Sequence, residues 1–141
     1  MLIVLSGFFM PSFSKQDTSY TKKTYTTAEV QQAPEIDGWL NDEAWEAVPW
    51  EGGFQMHEPY DDRTPTQETR FKVIFDRDHI YVGIRAFDTA PDSIISRLTR
   101  RDEIDGDMVA FLFDSYHDLQ TGFVFLISAA GSKADFYMSD D

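Results

Sequence analysis

The sequence contains no cysteine. Disulfide frameworks, thiolate zinc sites and cysteine nucleophiles are thereby excluded. Basic residues are scarce: 12 Lys and Arg stand against 25 Asp and Glu, for a formal net charge of -13. Nucleic acid and anionic membrane surfaces repel such a chain, so neither is expected as a partner. Phosphate-loop, dinucleotide-binding and serine-nucleophile signatures are absent. The three histidines, His57, His79 and His117, are far apart and share no ligand spacing. Carboxylates are plentiful, but no pair stands out as a glycosidase couple. The chain therefore reads as non-catalytic. Internal repeats and low-complexity tracts are also missing.

What is present is apolar and aromatic. Hydrophobic residues make up 42% of the 141 positions and aromatics 15%, enough for one domain with a single core. The start, "MLIVLSGFFMPSFSKQD", runs apolar from Leu2 to Met10 and then offers Ser12 and Ser14 as small residues before Lys15. That run is too short to span a bilayer. It reads as a signal peptide over residues 1–14, although no Lys or Arg precedes it; the competing reading is a strand tucked into the core. Polar residues 15–23 read as a linker, and residues 24–141 as the folded domain. Export to the periplasm, outer membrane or cell surface is the corresponding expectation.

Within the domain, β-branched residues from Thr24 to Val30 predict a first strand. Asp37-Gly38 is a turn signal. Asn41 is placed to cap a helix of about two turns that ends before Pro49, because proline disfavours helical geometry at the preceding residue. Trp45 is its inward anchor, with Val48 on the same face. "TRFKVIF" alternates, with Phe71, Val73 and Phe75 on one face and Arg70 and Lys72 on the other. "HIYVGIRAF" alternates too, and the intervening Asp76–Asp78 predicts an antiparallel hairpin. Asp92–Leu98 reads as one or two helical turns. "MVAFLFD" and "GFVFLIS" are strands with apolar residues on both faces, so they are covered on both sides or lack their cover. "ADFYM" begins another strand. Many short strands with frequent turns predict an all-β fold, an antiparallel β-sandwich with a short N-terminal helix.

The stretch "PEIDGWLNDEAW", residues 34–45, resembles the opening of the family-nine carbohydrate-binding module, P-x-I-D-G-x-x-D-E-x-W, with Asn41 as one additional residue. "FKVIFDRDHIYVGIRAFD", "DGDMVAFLFD" and "TGFVFLISAAGSKAD" resemble the later blocks of that family in the same order. The likeness is strongest to modules at the front of large bacterial proteins that continue into an outer-membrane β-barrel. It implies a jelly-roll-like sandwich and a carbohydrate-binding role. It also implies further strands beyond Asp141, so that the chain would be a truncated N-terminal piece with an exposed strand edge and uncovered apolar faces. The family clamps sugar between two tryptophans. Ile104 stands where the resemblance puts the first, and the second falls beyond Asp141.

Substitute sugar platforms are Trp39, Trp50, Phe54, Tyr60 and Tyr116, since pyranose rings stack on flat aromatic faces. Arg101 is the matching polar contact. Asp102, Asp105 and Asp107 point to calcium, because hard cations gather carboxylate oxygens. The alternative is an ion-paired loop neutralised by Arg97, Arg100 and Arg101. Three functional expectations follow: a glycan-binding module; an interaction domain that docks on the C-terminal region of its own full-length protein; and, because a related sandwich family holds haem, a haem-binding sandwich for which Met56, Met108, Met138 and the histidines are available as axial ligands although no spacing pairs them.

Overall fold

The computed structural model describes residues 23–59 and 63–139. The signal-peptide and most of the linker expectations lie outside them. The described chain is all-β, with six strands in two three-stranded sheets. The first sheet has the order β1-β2-β3, from Ala28–Glu29, Thr69–Phe75 and Ile80–Ala86. The second has the order β4-β5-β6, from Met108–Phe113, Thr121–Ser128 and Lys133–Ser139. No helix among the described residues is long and apolar enough to cross a membrane.

The predicted hairpin forms between β2 and β3, which pair antiparallel with Val73 opposite Val82 and Phe75 opposite Ile80. Asp76 organises its turn. Its Oδ1 accepts from the backbone N–H of Asp78 at 2.8 Å and of His79 at 2.7 Å, and its Oδ2 accepts the Tyr81 hydroxyl at 2.6 Å. β1 is shorter than expected and joins β2 in parallel, with Ala28 opposite Ile74. The first sheet is therefore mixed rather than purely antiparallel. Beyond Glu29, Val30 N–H still reaches the Phe75 carbonyl at 2.8 Å.

The expected two-turn helix is a five-residue 3-10 segment, Glu43–Ala47. Asp42, not Asn41, holds the N-cap position, without a side-chain cap bond. The Trp45 N–H bonds the Asp42 carbonyl at 3.1 Å, an i-to-i+3 closure. Pro49 holds Val48 extended (φ -134, ψ 149), so too few residues remain for an α-helix. The second helical expectation contracts further, to Pro91–Ser93, with Ala90 rather than Asp92 at its cap. From Ile94 the chain is extended, and Ser96 bridges Gly106 instead.

Burial centres on Val30, Trp45, Val48 and Ile74, ringed by Tyr25, Ala28, Leu40, Ala44 and Tyr81. Trp45 is 3% exposed and Ile74 fully buried. The 3-10 segment thus lies on the sheet face that carries Arg70 and Lys72, the face that alternation marks as polar. Gly83 allows the approach: a Cβ there would meet Leu40 at 2.9 Å and the Trp45 ring at 3.2 Å. Trp45 and Val48 both point inward, as the sequence predicts.

In the second sheet β4 and β6 flank β5, both antiparallel to it. Ser132 fastens the β5–β6 turn to the preceding loop. Its Oγ accepts from the Thr99 N–H at 2.8 Å, and its N–H donates to the Ser128 Oγ at 3.1 Å. Gly106, at φ 89, permits the bridge to Ser96; a Cβ there would lie 2.2 Å from the Ile95 carbonyl oxygen.

Candidate functional site

Alternation places Val73 and Phe75 of β2 and Ile80 of β3 on one face of the first sheet. In the second sheet it places Phe111, Phe113, Phe125 and Ile127 on a common face. These two faces line one cleft of about 900 Å³. Charged side chains surround it: Asp76, Arg77, Asp78 and His79 from the hairpin, with Arg101, Lys133 and Asp135 from the second sheet and its loops. Phe111 and Phe125 stack within the second wall, 5.2 Å between centroids.

The Asp76 carboxyl is held at about 2, below the ordinary carboxylate range, first by the Tyr81 hydroxyl and then by the backbone N–H of Asp78. The same bond pushes the Tyr81 hydroxyl upward. Asp118, in the β4–β5 loop, is also lowered, by the N–H of Gln120 and the side chain of Thr121. Each of these carboxylates is locked into a turn.

The predicted platforms do not converge on the cleft. Trp39 is 71% exposed in its turn, where its N–H donates to Asp37 Oδ1 at 2.8 Å. Trp50 is half-buried, and its ring already meets cations: Lys72 at 5.0 Å and Arg85 at 5.2 Å from the centroid. Phe54 leans edge-on against Phe71. Tyr116 is 71% exposed in the β4–β5 loop. Tyr60 lies outside the described residues. Among the described residues Arg101 alone of the predicted ligand contacts lines the cleft, where it pairs with Asp135 and approaches Asp102 at 3.7 Å.

The aspartates read as a calcium set have separate partners. Asp107 Oδ2 accepts the Ile95 N–H at 2.7 Å, Asp105 pairs with Arg97 at 2.9 Å, and Asp102 Oδ1 accepts the Asp135 N–H at 3.4 Å. Among the described residues no group of three His, Asp or Glu side chains is arranged to hold a metal ion. Two of the haem candidates are likewise separated. Met108 lies opposite Ser128 and Met138 opposite Gly122, six positions apart along β5, which is about 20 Å at the strand rise.

Sequence reasoning missed the cleft itself. Its walls were visible as apolar strands, but nothing local indicates which faces meet. The role of Asp102 beside β6 was missed as well. Comparison of the chain with family models, characterised proteins and solved structures found no match.

Proposed function

We propose that this chain is a non-catalytic β-sandwich-like module whose work is to dock polypeptide against its apolar sheet faces, first of all the C-terminal region of its own full-length protein. One observation carries the reading. Across β4–β6 nine large apolar side chains are 39–52% exposed, and they lie on both faces of the sheet. Phe113, Phe125 and Tyr137 are on one face; Leu112, Phe136 and Met138 are on the other. Soluble domains seldom leave so much contiguous apolar surface open, and such patches mark interaction sites. Burying half of a phenylalanine side chain contributes on the order of 1 kcal/mol, so several together support a stable interface.

Co-expression of the 141-residue chain with the C-terminal region tests this. Co-purification, with improved solubility over the chain alone, is the expected result. A monomeric chain that stays soluble by itself and ignores the C-terminal region overturns it.

The glycan reading keeps one specific observation in its favour, the open Trp39 indole, which is free to stack on a pyranose face. It agrees with the resemblance to family-nine modules. A glycan array should then show binding that Trp39→Ala removes. Uniform absence of binding leaves docking alone.

A further inference from the structure

We propose that the outer edge of β6 from Phe136 to Ser139 is a strand-addition site, and that its occupant is an extended segment, apolar in the middle and carrying lysine or arginine at its ends. This rests on the docking reading above and specifies how the docked segment is held.

Among the described residues β6 has a strand neighbour on one side only, β5. In an antiparallel ladder each residue turns both backbone groups to the same side, and successive residues alternate. The phase of β6 is fixed from both directions. The Ser132 carbonyl accepts from Ser128 N–H at 2.9 Å, so even-numbered residues bond toward β5. The Lys133 carbonyl accepts from Asp102 N–H at 3.0 Å, and Asp135 N–H reaches Asp102 Oδ1 at 3.4 Å, so odd-numbered residues bond away from β5.

Asp102 therefore acts as a short substitute for a seventh strand. It occupies the left-handed region at φ 66, and its neighbour Arg101 pairs with the Asp135 carboxylate. Together they close the first half of the edge. The second half is different. Tyr137 is the next outward-facing residue, and no described strand runs beside it. Phe136, Tyr137 and Met138 are about half exposed and project to alternate faces. An unpaired, apolar strand edge is a template for another strand. Asp102 sets the register at which an incoming strand must begin.

Charge selects the occupant. A second copy of a chain at -13 is repelled. Asp140 and Asp141 follow Ser139 directly in the sequence, so a segment with cationic ends is the complementary one.

The probe is a synthetic nonapeptide of alternating valine and threonine flanked by lysine pairs, titrated into the 141-residue chain and followed by affinity and amide exchange. The peptide should bind and slow exchange at the Tyr137 amide, and its glutamate-flanked counterpart should bind at least tenfold more weakly. Tyr137→Pro removes an outward donor together with the ring that packs on Phe123, so Tyr137→Ala, which removes the ring and keeps the donor, is its control. Of the two, only Tyr137→Pro should weaken binding at least tenfold while the Phe136 and Met138 amides, which face β5, stay protected. A peptide N-methylated on the alternate amides that face β6 carries the test with the protein unchanged, and should not bind. Equal affinity of the methylated peptide, or of Tyr137→Pro with those amides still protected, overturns strand addition while leaving docking on the sheet faces standing. A concentration-dependent dimer relieved by Tyr137→Pro assigns the edge to a second copy and also overturns it. Absence of any peptide binding overturns strand addition, whereas the docking reading falls only if the C-terminal region also fails to bind.

Discussion

The Lys72 ammonium donates to the carbonyl oxygen of Trp45 at 2.6 Å. The lysine is buried in the middle of β2, and the carbonyl belongs to the 3-10 segment above it. Carbonyls near the end of a helix lack partners within the helix, and a cation placed there satisfies them. The same ammonium lies over the Trp50 ring. One side chain thus fastens the N-terminal segment to the sheet at two points. Lys72→Met keeps the apolar stem and removes the donor. The expected cost is about 1–3 kcal/mol, the penalty for a buried acceptor left unpaired. Urea unfolding followed by tryptophan fluorescence measures it. A midpoint equal to that of the parent chain would show that the bond contributes nothing.

The two tryptophans of the opening stretch should separate cleanly. Trp45→Ala empties the centre of the core and should cost about 3–5 kcal/mol. Trp39→Ala removes an exposed ring and should stay within about 0.5 kcal/mol of the parent. Gly83→Ala tests the same contact from the sheet side. Its new methyl group presses on Leu40 and Trp45, and overpacking of this kind costs about 1–3 kcal/mol. Paired denaturation curves check all three. A destabilised Trp39→Ala would mean that this indole, too, is a structural support.

These contacts show how far local pattern reaches. β2 and β3 were legible because alternation and the turn residues at Asp76–Asp78 agree, and β4 to β6 because short apolar runs are bounded by polar loops. β1 was legible as a strand, but neither its shortness nor its partner was. Its parallel pairing to β2 joins residues far apart in sequence and engages just two residues in the ladder. The helix at Glu43 was visible through the capping signal at Asn41 and the stop at Pro49, but its 3-10 form depends on how few residues lie between those limits. Lys72 was read as outward because a lysine in an alternating strand usually is. Its burial depends on a carbonyl supplied by a distant segment, which no local window contains. The same holds for the candidate site. The aromatic walls were written in the strands, whereas their meeting across a cleft and the capping of β6 by Asp102 are tertiary.

Gly106 should tolerate no side chain. Its φ of 89 favours glycine, and a Cβ would lie 2.2 Å from the Ile95 carbonyl oxygen. Strain and collision each cost about 1–3 kcal/mol, so Gly106→Ala should lose roughly 2–6 kcal/mol. Ile95 also donates its N–H to Asp107 Oδ2, so the damage should begin at the start of β4. Amide exchange would reveal it as early loss of protection there, with the β2–β3 hairpin affected later. Simultaneous loss throughout would mean that the two sheets unfold as one unit.

Acid should loosen the β2–β3 hairpin through Asp76. Its carboxyl stands at about 2 in the folded chain, against about 3.9 for an unperturbed aspartate. A folded value below the unfolded one stabilises the ionised form. That contribution is fully present above about pH 4 and is lost as pH falls from there through about 2. The Tyr81 hydroxyl is the leading cause of the shift, so Tyr81→Phe should move the Asp76 carboxyl back toward the ordinary value. Carbon-13 NMR titration of the Asp76 carboxyl in both chains reads this directly. The backbone donors of Asp78 and His79 remain in the variant, so the return should be partial. An unchanged titration in Tyr81→Phe would place the cause in those turn amides instead, and the hydroxyl would then serve only to tie β3 to the hairpin's end.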